Sequence, residues 1–123
     1  LRENIKKDYQ YLKKFASGYG MDIEDMLYSK YKEAFTKGRR GKKLKLEYRG
    51  ISDILNGMSN GNIQLGYIHS KEYWKKDGAV EAETWAQFGR ILYGQDEAVM
   101  DMLKFVCPNT YEEVMQTLKG MIK

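Results

Sequence analysis

Proline, cysteine and histidine each occur once in these 123 residues, and each scarcity narrows what the chain can be. With Pro108 alone, nothing elsewhere need interrupt a long helix. With Cys107 alone, no intramolecular disulfide and no cysteine-built zinc site can form. Cys107 therefore reads as a small buried apolar residue in front of a proline. The lone His69 cannot by itself form a zinc site, because even a catalytic zinc requires three protein ligands and nothing else in the chain supplies the missing nitrogens. No apolar run approaches the ~20 residues of a membrane span. The opening LRENIKKDY has no apolar signal-peptide core. The chain also lacks a G-x-S-x-G nucleophile elbow. Its GRRGKK stretch has neither the spacing nor the preceding strand of a phosphate-binding loop. The chain opens without methionine, in what reads as mid-helix, which suggests the C-terminal fragment of a longer protein.

What is present is ordinary globular material, with 42% hydrophobic and 31% charged residues. The length suits one domain, residues 1–123. The net charge of +4 is uneven. Between Lys37 and Arg49 stand seven basic residues and one acid, Glu47. That segment carries +6 and leaves −2 for everything else. Arg39, Arg40, Lys42 and Lys43 could neutralise phosphates there, and Tyr48 could stack a base. That makes nucleic acid a candidate partner of 37–49. The plainer reading is a solvated basic turn, because the rest of the chain is net negative and matches no nucleic-acid module.

The fold expected is mainly α, with about five to six helices and a small two-stranded β element near 44–48 and 63–68. Ile5, Tyr9, Leu12 and Phe15 give residues 2–17 one apolar face, and Gly18 and Gly20 end it. Asp22 caps a second helix whose stripe continues to Gly38. Leu44, Leu46 and Tyr48 alternate with polar residues, which predicts a strand. Ser52 is expected to cap a short helix over 53–58, and 56–62 reads as turn chemistry. Ser70 caps a short segment over 71–75. A helix spans 79–93, Asp96 starts another, and Asn109 or Thr110 caps the last after Pro108.

The stretch Tyr67 to Leu92 holds the only histidine, both tryptophans and a glutamate on an apolar helix. Glu83 groups at helical spacing with Ala86, Gln87 and Arg90. It is either half of a weak surface pair or a carboxylate aimed into a cleft as metal ligand or catalytic group. His69, close to Tyr73 and Trp74, reads as a packed or hydrogen-bonded residue. The aromatic pair reads as core, with ligand stacking as the sharper alternative.

The order ISDILNGMSNG, GYIHSKEYW, EAETWAQFG and CPNTYEEVMQTL resembles a domain of phage minor head (head morphogenesis) and mobile-element proteins. Members of that family with an upstream H-E-x-x-H helix look like zincin metallopeptidases. The resemblance implies that Glu83, followed by Trp85 and Ala86, is the third zinc ligand. It implies that His69 lies on the substrate or oxyanion side, with Tyr73 and Trp74 as substrate-binding aromatics. The glycine directly before the family histidine is Ile68 here. H-E-x-x-H itself is absent, so two ligands and the general base would come from the upstream part of the same polypeptide. The fragment alone would then be inactive and hold no tight zinc. The setting implied is cytoplasmic or virion-associated, in a bacterial host, with phage head proteins as partners and no membrane. Two rival readings are a noncatalytic helical interaction module of a phage particle and a nucleic-acid accessory domain acting through 37–49.

Overall fold

The computed structural model describes residues 1–38, 41–66 and 68–121. Among them seven α-helices surround one two-stranded antiparallel sheet. The helices are α1 (Arg2–Gly18), α2 (Ile23–Lys30), α3 (Arg49–Met58), α4 (Lys71–Trp74), α5 (Ala79–Gly94), α6 (Glu97–Val106) and α7 (Pro108–Met121). The strands are β1 (Phe35–Gly38) and β2 (Gly41–Leu44). Single 3-10 turns span Lys32–Ala34 and Leu46–Tyr48. No helix among the described residues is long and apolar enough to cross a membrane.

The mainly helical architecture matches expectation, but the β element lies earlier than 44–48 and 63–68. The second helix stops at Lys30, eight residues short of Gly38, and Phe35 with β-branched Thr36 enters a strand. Gly38 pairs with Gly41, so the hairpin closes within the basic stretch. Phe35 faces Leu44 across the sheet, and both are buried. The alternation of Leu44, Leu46 and Tyr48 coincides instead with the end of β2 and a 3-10 turn. The 63–66 segment is irregular, and its link to the sheet is one bond, Leu44 N–H to the Leu65 carbonyl (2.7 Å).

Helix α3 is the centre of the molecule. It begins at Arg49 rather than at a Ser52 cap, and every residue from Gly50 to Met58 is buried. Ile51, Ile54, Leu55 and Met58 supply its apolar surface, while α5 makes its most extensive packing partner. Gly50 permits that approach. A Cβ there would lie 3.1 Å from both Gln87 Oε1 and the Ile91 side chain. Gly57 plays the same part beneath Trp74, whose ring would stand 3.0 Å from an added Cβ.

The two ends of the chain are joined across α1 and α7. Asp8, fully buried on α1, accepts from the backbone N–H groups of Asn109 (3.0 Å) and Thr110 (2.9 Å). It also accepts from the Asn109 amide (3.0 Å) and the Thr110 hydroxyl (2.6 Å). Pro108 occupies the first helical position, where its missing N–H costs nothing. The first turn of α7 is thus capped by a carboxylate from another helix, not by Asn109 or Thr110 themselves.

A candidate active-site cleft

A cleft of about 880 Å³ opens between the β hairpin, α3 and α5. One wall carries the residues singled out by sequence. Glu83, on the second turn of α5, is half-buried at 21% side-chain exposure. Its Oε1 accepts a 2.6 Å hydrogen bond from the Tyr73 hydroxyl and lies 3.9 Å from His69 Nε2. Its Oε2 is 3.5 Å from the Gln87 amide nitrogen, one turn along the same helix. The two donors fix the carboxylate toward the cleft, because a charged acceptor makes the stronger and shorter bonds. Glu83, His69 and Tyr73 therefore form one cluster, and Glu83 does not point to open solvent.

His69 is placed by its neighbours. Its ring stacks on Tyr73 at 4.1 Å and 17° and meets Trp74 edge-on at 5.2 Å. Its backbone N–H donates to Asn56 Oδ1 (3.1 Å). The same oxygen accepts from the Trp74 indole N–H (2.7 Å), while the Asn56 amide donates to the Ile63 carbonyl (2.9 Å). One buried side chain on α3 thus holds three points of the 63–74 segment. Ser70 caps α4, accepting from Tyr73 N–H (3.2 Å), and so turns Tyr73 and Trp74 in different directions. Tyr73 faces Glu83. Trp74 turns inward, with 4% of its surface exposed. Tyr73 thus bonds to a residue of the cleft without lining it, and Trp74 is a core residue.

The cleft also reaches residues not tied to any chemistry in the sequence. Asp53 Oδ2 accepts from the Gln87 amide (3.0 Å), which makes Gln87 a bridge between Asp53 and Glu83. Asp53 Oδ1 and Gln87 Oε1 are buried acceptors with no donor among the described residues. Burial first, and then the like charge of Glu83, push the Asp53 carboxyl above its usual range, against the pull of His69, Arg90 and Arg49. Protonation would relieve one unmet demand by turning an acceptor into a donor. The hydrogen bond to Glu83, followed by burial and the charges of Glu83 and Asp53, raises the Tyr73 phenol as well. Tyr73 thus stays a donor across the neutral range. A sequence signal for Asp53 and Asn56 existed. Ser52, Asp53, Asn56 and Ser59 recur at helical spacing on an otherwise apolar segment, and polar residues buried at that period need partners.

The basic stretch divides across the hairpin. Arg39 and Arg40 lie outside the described residues. Lys42 points away from the cleft, pairing with Asp25 (3.2 Å) and lying 4.2 Å from the centre of the Tyr28 ring. Lys43, its neighbour on the opposite face of the strand, lines the cleft together with Lys45, Arg49 and Arg90. The four residues named for nucleic acid therefore do not make one described surface. Cys107 is buried in the core, its thiol pushed well up by burial and by the charge of Asp8.

No family model, curated protein or solved structure matches the chain.

As for zinc, the residues present fit one ligand of such an ion. Glu83 offers a carboxylate oriented by Tyr73 and Gln87, which is the outer support that metal-bound carboxylates require. Among the described residues no three of His, Cys, Asp and Glu gather closely enough to hold a metal between them. The remaining ligands would have to come from elsewhere.

Proposed function

We propose that this cleft is one wall of a zincin-like metallopeptidase site in a phage or mobile-element protein. The site would be completed by an H-E-x-x-H helix outside residues 1–123. The observation that carries the reading is that Glu83 and His69 line one cleft from two parts of the chain, with the Tyr73 hydroxyl bonded to Glu83 beside it. A surface ion pair would need neither the 2.6 Å phenol bond nor the half-burial. In this reading the Glu83 carboxylate would hold the ion, and Gln87 and Tyr73 keep that carboxylate from rotating. Zinc, when bound, supplies Lewis-acid activation of water and of the scissile carbonyl. His69 stands beside the substrate, where an imidazole N–H can donate to charge developing on a carbonyl oxygen. Tyr73, held protonated, spends its one O–H on Glu83 Oε1 and so acts as a positioning residue. The interaction-module alternative gives this cluster no task.

The test uses the longest natural polypeptide containing residues 1–123. It should hold H-E-x-x-H, cleave a denatured protein substrate in a zinc-dependent manner, and lose at least about 10²-fold in rate on Glu83→Ala. A polypeptide without that motif, or one whose cleavage ignores Glu83, overturns the proposal.

A further inference from the structure

Four cations line the cleft, none of them in an ion pair among the described residues. Lys43 and Lys45 come from the hairpin and its exit, Arg49 from the start of α3, and Arg90 from α5. The two acids of the cleft are already engaged, Asp53 by Gln87 and Glu83 by Tyr73 and Gln87. Cations on three elements thus share one concave surface, whereas Lys42, one residue away, is neutralised by Asp25. The floor has the opposite chemistry. Glu83, half-buried in the cleft, offers acceptor oxygens there. A ligand that suits both layers carries N–H donors along its length and anionic groups to the side.

From this we infer that the cleft binds an acidic polypeptide segment. Its backbone N–H groups face the Glu83 floor, and its aspartate or glutamate side chains reach Lys43, Lys45, Arg49 and Arg90. A nucleic-acid strand fits less well, because its unbroken phosphate line would run over the Glu83 and Asp53 carboxylates. The cleft volume of about 880 Å³ lies at the upper end of small-molecule sites, which leaves room for several residues. The inference deepens the peptidase reading by naming its substrate class, and is tested without zinc or turnover.

The probe is a fluorescein-labelled ten-residue peptide with four glutamates, compared by anisotropy with its four-glutamine counterpart at about 50 mM salt, where screening is modest. The glutamate peptide should bind about tenfold more tightly, as expected for several exposed charge contacts. The combined variant Lys43→Gln, Arg49→Gln, Arg90→Gln should abolish that preference. The matched variant Lys7→Gln, Lys14→Gln, Lys119→Gln, outside the cleft, should retain it. Amide and side-chain NMR shifts of the unaltered protein provide a second readout, centred on Glu83, His69 and Arg90, that does not depend on any variant folding. Equal affinity for the two peptides overturns the inference. So does a preference that survives the cleft variant, shifts confined to other surfaces, or stronger competition by an oligodeoxynucleotide of equal charge. None of these outcomes touches the zinc-ligand role of Glu83, so the two proposals fail separately.

Discussion

Asp53 carries the clearest single-residue consequence. Its carboxyl is buried on α3, bonded through Oδ2 to Gln87 and without a donor at Oδ1 among the described residues. Its folded pKa lies above the ordinary 3.8, so folding favours the protonated form. The stabilisation from that proton is complete below the unfolded value and disappears as pH rises through the folded one. At neutral pH the ionised, half-satisfied group is a cost. Asp53→Asn keeps the shape, keeps an acceptor for the Gln87 amide and adds a donor. Urea unfolding should therefore show Asp53→Asn stabilised by about 1 kcal/mol at pH 7, with the gain vanishing toward pH 4. A variant less stable than the parent at pH 7 would contradict the burial argument.

Elements in this molecule are tied together by buried polar side chains whose partners lie far along the chain. Asp8 and the first turn of α7 are about a hundred residues apart and share four bonds. Asp8→Ala should cost about 3 kcal/mol in chemical denaturation, through orphaned N–H donors and a lost cap. Hydrogen exchange should rise first at Asn109 and Thr110. Asn56 ties α3 to the 63–74 segment in the same manner. Asn56→Ala should cost about 2–3 kcal/mol and should free the Trp74 indole N–H, seen by NMR as loss of its exchange protection.

Helix periodicity was legible wherever an apolar stripe met solvent, as in α1, α5, α6 and α7. Caps at Asp22, Ser70 and Asp96 were legible because their bonds are local. The buried α3 starts at Arg49 rather than at Ser52, whose side chain suits a cap but lies inside the helix on its buried polar face. The strands were misplaced because two flanking glycines and a cross-strand partner, rather than alternation, set them. Asn56 looked like turn chemistry because its partners are 7, 13 and 18 residues away. Long-range partners of this kind leave no local pattern.

At the scale of the whole molecule, α3 and α5 with the hairpin form a scaffold that opens one cleft. That scaffold presents Glu83 and His69 on the cleft, with Tyr73 bonded to Glu83, and four cations along the same lining that form no ion pair among the described residues. If the cleft is part of a zinc site as proposed, Glu83 is the one ligand it contributes. Zinc titration of residues 1–123, followed by NMR of the His69 ring and the Glu83 carboxylate, tests that claim most directly. Binding should be weak, with Kd on the order of millimolar, as one carboxylate with a nearby imidazole allows. It should move the His69 and Glu83 signals together and be lost in Glu83→Ala. Stoichiometric binding at micromolar zinc or below, or shifts that bypass Glu83 and persist in Glu83→Ala, would contradict it.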